Sequence, residues 1–287
     1  MQPASFARRF GPWAIVAGAS EGLGAAFADA LASQGINLVM IARRESMLQA
    51  YASRVRALHG VSVLPLVLDL ASESVDEALS AAIDQLDVGL LVYNACAAKI
   101  EHFISTPAAD LDAIVACNCR GLVRLARLIA PRLVDRGGGG ILVMSSMSGF
   151  HGHATAAAYC ASKAFCTAFG EALWAELDPL VTVRVCAAGA TTTPNFLNAT
   201  PGRTRAQAMP MKPERVVDIA LCSLQRKSAG PVVVPGLINR AVEWLMRRLL
   251  TPRMAVQFMS ANVRRVYELP SAKQTSAEQT SVQQTLS

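Results

Sequence analysis

The sequence predicts an α/β fold: a doubly wound parallel sheet with helices on both faces, in a single domain that carries a helical extension at its C-terminal end. Three observations predict it. Short β-rich apolar runs alternate with longer amphipathic stretches through the first two-thirds of the chain. The runs are apolar on both faces, as strands of a parallel sheet covered on both sides must be. The length of 287 residues and a hydrophobic content of 52% suit one large α/β domain with an ample core.

The elements follow in order. The N-terminal MQPASFARRFGP leads straight into the first strand run, WAIVAGA, with no signal-peptide h-region. NLVMIA, VLPLVLD, GLLVYNA, ILVMSS and VTVRVCAAG supply strands two to six, and GPVVVPG near 230–236 is a seventh run. Between strands, Val75, Leu79, Ile83 and Leu86 are spaced for one helical face. The glycines 137–140 read as a helix stop before the fifth strand. The main domain is therefore expected over 1–236, with a C-terminal amphipathic helical extension over 237–270. Within it, LINRAVEWLMRRLL places Ile238, Ala241, Val242, Leu245, Met246 and Leu249 on one face and Arg240, Arg247 and Arg248 outside it, with Pro252 as the stop. Three roles fit this segment: packing on its own domain or across a dimer, a lid over a bulky apolar substrate, or a peripheral contact with a membrane surface. Residues 271–287 are polar and poor in aromatics, which predicts a disordered tail.

Composition excludes several classes. No apolar run reaches the roughly 18–20 residues of a membrane span. Seven cysteines without a CxxC pair fit reduced thiols in a cytoplasmic protein, and neither a disulfide frame nor a metal site is expected. The net charge of +6 is modest, and no interleaving of aromatic and basic residues marks a nucleic-acid surface.

The first strand runs into AGASEGLG, where Gly18, Gly22 and Gly24, with Ser20 and Leu23 among them, form G-x-x-x-G-x-G at a strand-to-helix turn. Such a turn lets the backbone approach a pyrophosphate and points a helix N-terminus at the anion, the arrangement of a Rossmann-type dinucleotide site. At the end of the second strand, where an NAD site carries an acid for the ribose 2'-hydroxyl, the sequence has Ala42 followed by Arg43 and Arg44. Guanidinium groups suit a 2'-phosphate, so NADP(H) is expected as cofactor.

Tyr159 and Lys163 stand four apart among small residues in AYCASKAF. On a helix they share a face, and the ammonium is expected to lower the phenol pKa from roughly 10, tuning it for proton transfer.

With these motifs in place the chain resembles a short-chain dehydrogenase/reductase from about residue 10 to 235. The glycine turn, LDL at 68–70, NAC at 94–96, CNCRG at 117–121, SSMSG at 145–149, YCASK at 159–163 and AGATTT at 188–193 fall in that family's order and spacing. GPW…GASEGLG, VMIARRE and GATTTPNF also resemble segments of bacterial NADP-dependent hydroxysteroid dehydrogenases. The resemblance implies Tyr159 as general acid in reduction and base in oxidation. It implies that Lys163 holds the nicotinamide ribose, that Ser146 orients the substrate oxygen and that Asn118 holds a water in a proton relay. Asp69 and Leu70 would border the adenine, Asn94 and Ala95 the ribose, and Thr191 and Thr193 the carboxamide. The thirteen-residue interval to Tyr159 selects Ser146 over Ser145. It further implies a homodimer or homotetramer joined through helices around 107–134 and 155–178.

The chain departs from the family pattern at Cys96, where glycine is usual, and at Ala188 before Gly189, where proline is usual. His151 and His153 are expected as exposed loop residues. The expectation is an NADP(H)-dependent enzyme that interconverts a ketone and a secondary alcohol on a small hydrophobic, steroid-like or lipid-like substrate. The alternatives are a ketoacyl-thioester or xenobiotic carbonyl reductase on the same scaffold, and a non-catalytic dinucleotide-binding protein.

Overall fold

The computed structural model describes residues 3–73, 75–226 and 228–268. Strands β1 (Trp13–Ala17), β2 (Asn37–Ala42), β3 (Val63–Val67), β4 (Val88–Tyr93), β5 (Gly139–Ser146), β6 (Val181–Ala188) and β7 (Val232–Val233) form one sheet in the order β3-β2-β1-β4-β5-β6-β7. Every neighbouring pair is parallel. Each expected strand run is present, and two of the glycines read as a helix stop, Gly139 and Gly140, begin β5.

The helices are α1 (Pro3–Phe10), α2 (Gly22–Ala32), α3 (Glu45–His59), α4 (Val75–Ile83), α5 (Ala108–Val115), α6 (Gly121–Asp135), α7 (Ala157–Leu177), α8 (Pro194–Ala199), α9 (Pro213–Gln225), α10 (Leu237–Arg248) and α11 (Pro252–Tyr267). One face of the sheet packs Phe27 and Leu31 of α2 and Val217 and Leu221 of α9 against Leu38 and Met40. The other packs Leu79 and Ile83 of α4 and Leu122, Leu125 and Ile129 of α6 against Ile15, Leu91 and Val143. Burial on both faces explains why the strands read as continuous apolar runs.

The strand register lines up the carboxyl ends. Ala17 pairs with Ile41 and with Tyr93, and Ser146 pairs with Ala188. Strand order reverses between β1 and β4, so the crevice beyond those ends is where a doubly wound sheet takes its ligand.

Two local differences from the sequence reading stand out. The N-terminal segment does not go straight to a strand: α1 buries Phe6 and Phe10, whose rings lie 4.7 Å apart, under the sheet. Their i, i+4 spacing is a single helical turn of apolar signal, too short to show as periodicity. The extension is two helices rather than one. Pro252 opens α11 instead of closing the extension, with Thr251 Oγ1 accepting the Met254 N–H at 3.4 Å. Proline is at home in a first turn, where its missing N–H has no partner to lose. The expected tail at 271–287 lies outside the described residues. Among the described residues no helix is long and apolar enough to cross a membrane.

Candidate active site

The turn after β1 is built for close approach. Gly18 has φ +79°, and a Cβ there would fall 2.8 Å from the Ala95 backbone. A Cβ on Gly24 would fall 1.8 Å from the Gly18 carbonyl oxygen, so this pair of positions admits only glycine. Ser20 and Glu21 complete the turn, α2 starts at Gly22, and Leu23 packs partly on the core behind it. Asn94 at the end of β4 donates Nδ2 to the Gly18 carbonyl at 3.0 Å, which ties the two central strand ends together. Thr193 caps α8 and meets Gly22 from the far side, a Gly22 Cβ falling 3.2 Å from its methyl. Thr191 is buried, its hydroxyl on the Gly189 carbonyl at 3.1 Å. Asp69 accepts the Ala71 N–H at 3.0 Å, and Leu70 is buried against the start of α6. A backbone cradle at a helix N-terminus, open where a Cβ would fill it, fits a dinucleotide pyrophosphate.

Ala42 ends β2, as expected, and the two arginines that follow differ. Arg44 forms an ion pair with Glu21 of the glycine turn. Arg43 is exposed, forms no ion pair among the described residues, and is one of the charges that oppose the burial-driven rise of the Cys117 thiol.

The proton-transfer cluster sits at the ends of β5 and α7. Ser146 closes β5, accepts the Ser148 N–H at 3.1 Å and lies close enough to the Tyr159 phenol to lower its pKa against the effect of burial. Lys163 is 4% exposed, donates Nζ to the Met144 carbonyl at 3.0 Å, and lies 5.9 Å from the Tyr159 ring centroid. Gly149 allows the 146–149 turn to press on α7, since a Cβ there would fall 2.7 Å from the Lys163 backbone. Ser145 is buried instead, its hydroxyl on the Lys163 carbonyl and Thr167, both at 2.8 Å. Ser145 therefore braces α7 and Ser146 faces the tyrosine.

The tyrosine is not tuned downward. Burial pushes the Tyr159 phenol up to about 12, with Cys96 adding to the rise, and the lowering by Lys163 and Ser146 does not reverse it. Burial pulls the Lys163 ammonium down, but its partners Cys96 and Tyr159 outweigh that and leave its pKa raised. The cluster at neutral pH is a neutral phenol beside a charged ammonium. Cys96, where the family has glycine, is exposed, its thiol donating to the Ala97 carbonyl at 3.4 Å.

Asn118 lies on a single π-turn, Ala116–Arg120, between α5 and α6. Such turns are rare inserts that often mark functional positions. Its side chain is wholly engaged: Oδ1 accepts the Ala97 N–H at 2.7 Å, and Nδ2 donates to the Ala97 carbonyl at 2.8 Å and Ser162 Oγ at 2.9 Å. These bonds make the side chain a strut joining the end of β4 to α7.

His153 corrects another expectation. It is buried, with Nδ1 donating to the Ala154 carbonyl at 3.0 Å and Nε2 accepting from Ser148 Oγ at 3.1 Å. Burial lowers its pKa, so it is a neutral brace under the Ser146 turn. His151 is half-buried, with Nε2 buried and partnerless.

Sequence reasoning missed Tyr267. It ends α11 close enough to Tyr159 to influence its ionisation, and burial raises its own phenol pKa. Thr204 Oγ1 donates to the Val266 carbonyl at 2.6 Å, Arg203 grips Glu268 with two bonds of 2.5 Å, and Ser260 Oγ accepts the Ala154 N–H at 2.9 Å. The end of α11 is thus fastened to both loops that flank Tyr159. Its signal lay beyond Pro252, read as a stop.

The comparisons agree with this geometry. The family model for short chain dehydrogenases matches residues 12–203. A very-long-chain 3-oxoacyl-CoA reductase from Phaeosphaeria nodorum is 30% identical over 264 residues, covering 86% of this chain and 75% of that protein. A solved structure of a 7beta-hydroxysteroid dehydrogenase, studied for its stereoselectivity, superposes with a TM-score of 0.82 at 28% identity, over 88% of this chain and 98% of that one. A short-chain dehydrogenase from Sphingobium yanoikuyae, solved in complex with NADPH, is 30% identical with a TM-score of 0.72, over 84% of this chain and 97% of that one. A glycine cradle at the switch point, a serine–tyrosine–lysine cluster at the same sheet edge and a family match over two-thirds of the length lead to one conclusion: the chain belongs to the short-chain dehydrogenase/reductase family of oxidoreductases.

Proposed function

We propose that the chain is an NADP(H)-dependent oxidoreductase that interconverts a ketone and a secondary alcohol, acting as a reductase at neutral pH. One observation carries this reading: Ser146, Tyr159 and Lys163 converge at the carboxyl edge of the sheet beside the glycine cradle. The dinucleotide supplies the hydride. The chain supplies position and proton. Ser146 orients the substrate oxygen, and Tyr159 donates its phenolic proton to that oxygen as negative charge develops. Lys163 stabilises the phenolate left behind, and Asn118 keeps α7 and the β4 end in register. In oxidation the same phenolate takes the alcohol proton.

On this reading Gly18, Ser20, Gly22, Leu23 and Gly24 cradle the pyrophosphate and Arg43, with Arg44, takes the 2'-phosphate. Asp69 and Leu70 border the adenine, and Asn94 and Ala95 border its ribose. Tyr159 and Lys163 hold the nicotinamide ribose, with Thr191 and Thr193 at the carboxamide. The NADPH complex of the Sphingobium relative supports this choice of cofactor.

The substrate is a bulky apolar ketone of steroid-like or lipid-like character. The hydroxysteroid-dehydrogenase likeness supports it, as does the nearness of the buried Tyr267 ring of α11 to Tyr159. A 3-oxoacyl thioester is the second reading, favoured by the oxoacyl-CoA reductase relative. The partners are this substrate, a second copy meeting the exposed Val123 and Phe165 of α6 and α7, and a membrane surface met by the extension. NADPH oxidation measured against steroid ketones, 3-oxoacyl thioesters and small ketones tests the reading. Turnover confined to the first panel supports it, turnover confined to the second selects the thioester, and cofactor binding with no turnover on any carbonyl overturns it.

A further inference from the structure

The two helices of the extension divide the roles left open by the sequence. Helix α11 is fastened to the loops at Ala154 and at Arg203–Thr204. Helix α10 is not packed away: of its predicted core face only Met246 is fully buried. At 100° per residue, Leu237, Ile238, Ala241, Trp244, Leu245 and Leu249 fall within one arc of about 140°. All six are exposed, Leu237 at 75%, Leu249 at 62% and Trp244 at 56%.

The charge around this stripe identifies its partner. Residues 237–265 hold six arginines and one acid, Glu243, so this segment carries five of the six net positive charges of the chain. Glu243 is already paired with Arg247 at 3.1 Å, and Arg247 lies over the Phe150 ring at 5.4 Å, which turns that arginine back toward the protein. Arg240, Arg248 and Arg253 are exposed and form no ion pair among the described residues. A second copy docking stripe to stripe would set arginine against arginine with no free acid between them. An anionic bilayer answers both features. Its acyl boundary takes the leucines and the indole, and its phosphate and carboxylate headgroups take the guanidiniums, whose stems lie along the apolar face.

We propose that α10 docks this chain on anionic phospholipid surfaces, with Trp244 and Leu245 inserted at the acyl boundary and Arg240 and Arg248 at headgroup level. The contact is interfacial. It also places the mouth beside α11 near the phase where bulky apolar ketones dissolve.

Vesicle co-sedimentation of the full chain tests this without any turnover measurement, so its outcome is separate from that of the catalytic reading. Binding is expected to phosphatidylcholine–phosphatidylserine vesicles, falling with salt, and not to phosphatidylcholine alone. The pair Arg240→Gln and Arg248→Gln should weaken binding by roughly 30-fold, since each basic residue near an anionic surface contributes about a fivefold factor. The pair Trp244→Ser and Leu245→Ser should abolish it, with circular dichroism unchanged. Equal binding to neutral vesicles, no binding by the wild type, or binding unaffected by either pair overturns the proposal. So does a sedimentation profile in which the Trp244/Leu245 pair splits a larger assembly, because a second copy then covers the stripe.

Discussion

Arg44 is ion-paired with Glu21 across the rim of the glycine turn, while Arg43 beside it is exposed and forms no ion pair among the described residues. The two arginines that a sequence treats alike are therefore unequal. On the proposed reading Arg43 is the cation that takes the 2'-phosphate, and Arg44 is shared with a carboxylate that repels one.

Cofactor preference follows from this asymmetry. A charge-assisted contact contributes about 1.5–3 kcal/mol, a factor of roughly 10–100. Arg43→Ala should lower kcat/KM for NADPH by that factor and leave NADH use nearly unchanged. Arg44→Ala should cost less, and Glu21→Gln should raise the NADPH preference. Paired kcat/KM values for NADPH and NADH at moderate salt check all three. Equal use of both cofactors by the wild type contradicts the assignment.

The raised phenol of Tyr159 sets the pH behaviour. With its pKa pushed up to about 12, the group is protonated throughout the neutral range and is ready to donate, but scarcely ionised to accept. Reduction should be flat with pH until the alkaline limb and then fall. Oxidation should rise about tenfold per pH unit below the same limb. Initial rates in both directions across a buffer series, read within the range where the fold is stable, decide it. A reduction rate that already falls between neutral pH and pH 8 contradicts the account.

Tyr267 should discriminate by substrate size. Tyr267→Ala removes the aromatic ring at the end of α11 while leaving Ser146, Tyr159 and Lys163 in place. We expect kcat/KM for a steroid ketone to drop at least tenfold and that for a small ketone to change little. Equal losses on both would show that α11 acts only through stability.

Phe6→Ala tests whether α1 belongs to the core. A fully buried phenylalanine truncated to alanine costs about 3–5 kcal/mol. Chemical denaturation should show that loss, and a change below about 1 kcal/mol would mean that α1 is dispensable.

The parallel sheet, its strand runs and the placement of the glycine turn, Ser146, Tyr159 and Lys163 were legible because they rest on repeated local signals. Buried strands are uniformly apolar, and the motifs sit where strands give way to helices. What escaped depended on tertiary partners. The bracing of Asn118 by Ala97, 21 positions away, which uses both ends of its side chain, leaves no mark in the local sequence. His153 reads as a loop histidine, yet Ser148 and the fold around it bury it. The lysine beside Tyr159 was visible and the desolvation opposing it was not, so even the direction of the shift was missed. In the extension, amphipathic spacing located α10, but spacing alone does not tell a core face from an uncovered one.

The central claim is that Tyr159 is the proton donor of an NADPH-dependent carbonyl reduction, and Tyr159→Phe tests it most directly. Single-turnover reduction and NADPH affinity by fluorescence titration should be measured on the same preparation. The account predicts a rate loss of about 10² to 10⁴, with cofactor affinity changed far less. A variant that turns over at close to the wild-type rate would contradict it.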